Sequence, residues 1–175
     1  GADGADGAGT TTYALSITGG NGTGSGLTET SSGNAVFLFL ESGVIVGREG
    51  TDATDAVTGD VVFKVSESSG TVTLDQQSAV VHSPNVNAND TETLTADNLI
   101  QLTATITDKD GDTDTAVLDI GQNLTFVDDG PTISTNSTGT SLSVDETNLG
   151  SDDAKSFVGD FTSAFGADGA DGAGT

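Results

Sequence analysis

Apolar and polar residues alternate with a period of two along much of this chain. Leu102, Ala104 and Ile106 are interleaved with Thr103, Thr105 and Thr107. After a short acidic loop, Ala116, Leu118 and Ile120 are interleaved with Thr115, Val117 and Asp119. A period of two puts alternate side chains on opposite faces of a strand, so these runs predict a β-hairpin with one face buried. Further strands are predicted over residues 11–18, 35–41, 43–48, 61–66, 71–81 and 141–144, with clusters of Gly, Asn, Ser and Asp between them. No long segment has a helical period, and only a short turn is expected within residues 151–157. The 28 threonines suit a pleated, half-exposed surface. The pattern predicts an all-β fold, an Ig-like Greek-key β-sandwich of about seven or more strands.

The two ends of the sequence share a repeat. Residues 1–10 read GADGADGAGT, and residues 166–175 read the same ten letters, an offset of 165 residues. We read this as one full period of a tandem array, with each unit large enough to own a core. The break Val127-Asp128-Asp129-Gly130-Pro131 reads as a linker, because proline cannot donate to a strand ladder and stiffens the connection. Residues 1–130 are then the body of one repeat, and residues 131–175 are the linker and opening strands of the next. On this reading the chain is a piece of a longer protein that straddles a junction. The opening strands are expected to enter a neighbouring molecule, complementing it strand to strand, head to tail.

Composition narrows the chemistry. With 4 Lys+Arg against 27 Asp+Glu the formal net charge is -23, which excludes binding to nucleic acid backbones and anionic membrane surfaces. The absence of Cys removes disulfides, thiolate metal sites and cysteine nucleophiles, and the single His82 excludes most zinc and triad catalysis. No run approaches the roughly 18 apolar residues of a membrane span, so direct membrane insertion is not expected, and no basic region followed by an apolar core marks an export signal. Hydrophobic residues make up 33% and 25 residues are Gly, which favours disorder unless a counter-ion offsets the repulsion.

The carboxylates are grouped so that a divalent cation could supply that charge. Asp108-Lys109-Asp110-Gly111-Asp112 forms the turn of the predicted hairpin, with Asp114 just beyond. Acids at alternate positions around a glycine turn can converge, and hard oxygen ligands at that density suit Ca²⁺. The loop is not an EF-hand, since glycine falls at its fourth position and no Glu follows at the twelfth. A solvated hairpin, its Asp and Gly serving only turn geometry, is the simpler alternative. Two further pairs, Asp128 with Asp129 and Asp145 with Glu146, would meet this loop at every junction of a tandem array and favour calcium there. Asp152, Asp153, Asp3 and Asp6 are read as solvated loop acids.

Other features carry no chemistry. The stretch Gly19-Gly20-Asn21-Gly22-Thr23-Gly24-Ser25-Gly26 approaches a calcium-binding nonapeptide but has Gly24 in place of the ligand Asp and Gly26 in place of the large apolar residue, so a flexible loop is expected. His82, at a strand end with no second imidazole, is expected on the surface. A glycosidase would need a cleft lined with aromatic platforms, and one Tyr, seven Phe and no Trp do not supply it.

The run Leu99 to Pro131, with ITDKDGDTDTAVLDIGQNLTFVDDGP, and the stretch SLSVDETNLGSDDAKSFVGDF, residues 141–161, resemble the long tandem repeats of giant RTX adhesins secreted by type I systems of Gram-negative bacteria. The resemblance implies a Ca²⁺-dependent extender domain that projects a ligand-binding tip from the cell surface for attachment and biofilm formation. It also implies neighbouring repeats joined head to tail, ions stiffening the linkers, an extracellular location and no catalysis. Carried to this chain, it supports Asp108, Asp110, Asp112, Asp128, Asp129, Asp145 and Glu146 as ligand candidates. The nonapeptide array found near the C-terminus of those proteins is absent here. A carbohydrate- or cell-binding module of the same adhesin is the rival reading.

Overall fold

A computed structural model describes residues 9–83, 89–136 and 139–166. Asp3, Asp6 and most of the run Asn85 to Asn89 lie outside them. The fold is all-β, built from antiparallel sheets, and divides into two compact units, Gly1–Asp128 and Asp129–Thr175.

Among the described residues the first unit holds ten strands: β1 (Thr10–Ile17), β2 (Thr23–Thr28), β3 (Ala35–Glu41), β4 (Val44–Gly50), β5 (Val61–Ser68), β6 (Thr71–Gln76), β7 (Thr91–Thr93), β8 (Ile100–Thr107), β9 (Thr113–Asp119) and β10 (Thr125–Val127). Strands β2 to β6 form a five-stranded meander, β1, β8 and β9 a three-stranded sheet in that order, and β7 and β10 a short pair. β1 packs on β3, β4 and β5, which makes the unit a sandwich. The two tightest turns of the meander, Ser42-Gly43 and Ser69-Gly70, each place both residues at positive φ. That conformation matches the twist of a two-residue hairpin, and it explains serine-glycine at both sites.

Between the sheets lies one core. Val36, Leu38, Ile45, Phe63 and Val65 of the meander meet Leu15 and Ile100 of the smaller sheet, with Leu94, Leu124 and Phe126 closing one end. Along one row of the meander Leu38, Gly47 and Phe63 are neighbours, and the Phe63 ring occupies the space a Cβ at position 47 would need.

The structure corrects several local expectations. The glycine-rich stretch is not all loop, because Thr23–Thr28 is the edge strand β2. Its pairing with β3 is interrupted between Gly24 and Thr28, and the buried Ser25 hydroxyl bridges the bulge, donating to the Val36 carbonyl at 2.7 Å and accepting from the Leu27 N–H. Gly26, at φ 88°, lies against Thr95, so neither a side chain nor an ordinary backbone conformation fits there. The strand expected over 71–81 stops at Gln76, and Val80 then makes an isolated bridge to Glu29. The hairpin of β8 and β9 buries only its base: Ile100 and Ile120 are covered, but Leu118 and Ile106 are exposed. His82 is buried, not on the surface.

The second unit contains β11 (Thr132–Thr135) and β12 (Phe161–Ala164), which pair antiparallel, with a 3-10 turn at Val158–Asp160 before β12. Residues 141–144 alternate as a strand would but form none: their side chains are exposed, and the Ser143 N–H donates to the Asp153 carboxylate and not to a strand. The turn expected within 151–157 falls a few residues later.

Candidate metal centre

The strands β8 and β9 are in register from Gln101 opposite Asp119 to Thr107 opposite Thr113, so the residues between them must reverse the chain in a tight acidic turn. The Asp108 N–H donates to the Asp112 carbonyl at 2.9 Å, and Gly111 takes φ 99° at the apex, which favours glycine. One oxygen of the Asp108 carboxylate accepts the N–H groups of Gly111 at 3.1 Å and Asp112 at 2.9 Å. The turn thus aims backbone dipoles at one acid and holds it in place.

Three carboxylates converge as a result. Asp108, Asp110 and Asp112 each offer an oxygen, and these atoms lie within 4.8 Å of one another. Asp108 is half-buried and the other two are exposed. The Asp108 carboxyl is held below the ordinary carboxylate range, first by the Asp110 side chain, whose carboxyl can donate to it once protonated in acid, and then by the backbone N–H groups of Asp112, Gly111 and Asp110, which outweigh the opposing effect of burial. At neutral pH the acids repel one another, with only Lys109 among them. Hard oxygen donors of this kind fit Ca²⁺, which takes six to eight ligands; three carboxylates supply part of that shell and leave room for water or a further acid.

The other candidates are placed elsewhere. Asp114 sits on β9 opposite Ile106, exposed, beyond the converging trio. The Asp128 side chain is buried, with an oxygen 3.8 Å from Nδ1 of His82, and its backbone N–H donates to the Asp90 carbonyl. Among the described residues, neither ring nitrogen of His82 has a hydrogen-bond partner. Asp129 is exposed at the start of the second unit. The Asp145 carboxylate accepts the N–H and hydroxyl of Thr147 at 2.8 and 2.6 Å, which hold it below the usual range, the hydroxyl contributing most. Glu146 beside it is exposed. Asp145 does line an open polar cleft with Asp152 and Asp153, two acids expected to be solvated loop residues. Asp153 there bonds Lys155 at 2.9 Å and the Ser143 N–H at 3.1 Å. Among the described residues, Asp108, Asp110 and Asp112 are the acids that converge closely enough for one ion.

The position of the trio is set by long-range pairing. Thr10, the first residue of β1, pairs with Thr107, and the backbone of Gly9 lies against Thr107 and Asp108. The acidic turn therefore sits beside the start of β1. The sequence showed the cluster of acids but not this neighbour, since nothing local links residue 9 to residue 108.

No curated protein and no solved structure matches the chain. A family model described as a domain of unknown function, DUF5801, matches residues 1–121, the greater part of the sandwich unit. The chain belongs to the DUF5801 family.

Proposed function

We propose that this chain is a structural spacer, a Ca²⁺-rigidified extender repeat of a bacterial cell-surface RTX adhesin. It has no catalytic role and is exported by a type I system to act outside the cell. The observation that carries the reading is the convergence of Asp108, Asp110 and Asp112 at the end of the sandwich where β1 begins. An ion held there is placed to take further oxygen ligands from whatever precedes β1, which in a tandem array is the neighbouring repeat. Asp129 of the break, exposed where Asp128 is buried beside His82, and the pair Asp145 and Glu146 are the proposed donors from that side. An all-β sandwich, the repeated GADGADGAGT and the resemblance to adhesin repeats support the same reading. The charge of -23 supports partners other than nucleic acid.

Extracellular calcium sites of this openness have Kd of about 10⁻⁴ to 10⁻³ M. A calorimetric Ca²⁺ titration with thermal melts in Ca²⁺ and in EDTA tests the reading. Binding in that range and a higher Tm with the ion are expected, because a ligand of the native state stabilises it by mass action. A melt unchanged in excess chelator removes calcium from the account. A glycan array, blank with and without Ca²⁺, separates the spacer from a carbohydrate-binding module.

A further inference from the structure

The face that β1, β8 and β9 turn toward the core is apolar over most of its length but covered over only part of it. Register places Ile17 opposite Ile100, whose carbonyl accepts the Ile120 N–H just past β9, and sets Leu15, Leu102 and Leu118 in the next row. The first row is closed over by the core. In the second, exposure climbs across the sheet from 5% at Leu15 to 60% at Leu118, and Ile106, two rows farther along β8, is 54% exposed. The reason is the placement of the sheets: β1 lies on the meander, whereas the main neighbours of β9 are β8 and the turn Asp97–Leu99. β9 is also the edge of its sheet, with one side of its backbone unpaired by the ladder.

The second unit has the converse deficit. Among the described residues 131–166 none is buried, yet the segment is rich in large apolar side chains. Ile133 stands opposite Ser163, and Phe161 opposite Thr135, which sets Ile133 and Phe161 on one face of the hairpin β11–β12, at 72% and 54% exposure. A two-stranded hairpin with no partner is marginal in water. It needs an apolar surface, and the β9 side of the sandwich is one.

The sequence indicates whose surface that is. GADGADGAGT stands before β1 and again after β12, so in successive copies a segment equivalent to 131–165 immediately precedes β1. The stretch between β12 and the following β1 spans about 35 Å when extended, enough to reach across a sheet. We propose that the β9 side of this face is a docking surface for residues 131–166 of a second copy of the chain, with Ile133 and Phe161 laid against Leu118 and Ile106. The contact is heterologous, one copy's segment on the next copy's sheet, and so propagates head to tail. It deepens the spacer reading by naming the joint between repeats. Its test reads mass and needs neither calcium binding nor stiffness, so the two can fail separately.

Sedimentation velocity of the full 175-residue chain, from micromolar to near-millimolar concentration, should show species at multiples of 17.3 kDa that grow with concentration. Leu118→Asp, which spoils the face, and Phe161→Asp, which spoils the segment, should each weaken association more than tenfold while the thermal melt of the sandwich is kept. Should Leu118→Asp disturb folding, Ile106→Asp replaces it on the neighbouring strand. Mixing the two variants is the decisive arm: one retains an intact segment and the other an intact face, so a complex of two chains and nothing larger should form. A wild-type chain that stays monomeric throughout overturns the proposal, as does association that survives both substitutions or a mixture that stays monomeric.

Discussion

Phe126 meets Phe63 edge to face, with ring centroids 5.1 Å apart and planes inclined by 63°. Both side chains are fully buried. β10 is only three residues long, so this contact anchors the last strand of the sandwich unit to β5 of the meander. Phe126→Ala should destabilise the unit by about 3–5 kcal/mol through the lost ring and the cavity it leaves, of which about 1 kcal/mol belongs to the aromatic pair. Equilibrium urea unfolding checks it. A change below measurement error would mean that β10 is not docked in solution.

Gly47 is the other half of that arrangement. Because the Phe63 ring lies where its Cβ would stand, Gly47→Ala should cost about 1–3 kcal/mol by overpacking. Phe63→Leu, which withdraws the ring, should reduce that penalty, so the two substitutions are expected to couple in a double-mutant cycle. Additive effects would show that the glycine serves the backbone and not the ring.

Glu29 is a buried acid that the strand pattern does not announce. Its carboxylate accepts the Ser78 hydroxyl at 2.6 Å and the Ser32 N–H at 2.6 Å, and its backbone bridges to Val80. Burial pushes its carboxyl up, but the hydrogen bonds from Ser78, Ser32 and Ser31 together hold it below its ordinary value of 4.5. A depressed folded-state pKa contributes stability above the unfolded value and loses it as pH falls through the folded one. Glu29→Gln should therefore cost about 1–2 kcal/mol near neutral pH. The gap between variant and wild type should close once acid takes pH below 4.5 and past the folded value; urea midpoints that differ equally at pH 7 and in strong acid would contradict this.

Calcium affinity should follow convergence and not net charge. Asp110→Asn combined with Asp112→Asn should abolish the calorimetric signal, while Asp152→Asn, which removes an acid away from the trio, should leave it nearly intact. Acidification should release the ion as the carboxylates protonate, with Asp108 keeping its charge below its ordinary 3.8 because of its hydrogen bonds. A loss from Asp152→Asn about half that of the double substitution, in proportion to the charge removed, would mean that only bulk charge matters.

Two copies joined in one chain should scatter as a longer, stiffer particle in Ca²⁺ than in chelator, since an ion bridging a junction restrains bending. Identical profiles in the two conditions would leave the ion without a mechanical role.

Short alternating or apolar runs set between clusters of Gly, Asn, Ser and Asp were enough to read an all-β chain, and the continuous apolar run closed by Glu41 placed β3 at its observed bounds, Ala35–Glu41, because a short run bounded by turn residues is a local property. The acidic turn of Asp108, Asp110 and Asp112 was equally legible, since acids around a glycine at a hairpin apex are neighbours in sequence before they are neighbours in space. What the local pattern could not decide was coverage. Leu118 and Ile120 are indistinguishable by alternation, yet one is exposed and the other buried, because only the packing of β1 on the meander determines where the second layer ends. The same holds for β2, a glycine-rich strand that exists because Ser25 bridges its bulge and Thr95 fills the space beside Gly26. It holds too for His82, drawn inside beside Asp128, and for Gly9, set against Asp108: each contact joins residues dozens of positions apart, and only tertiary packing creates it.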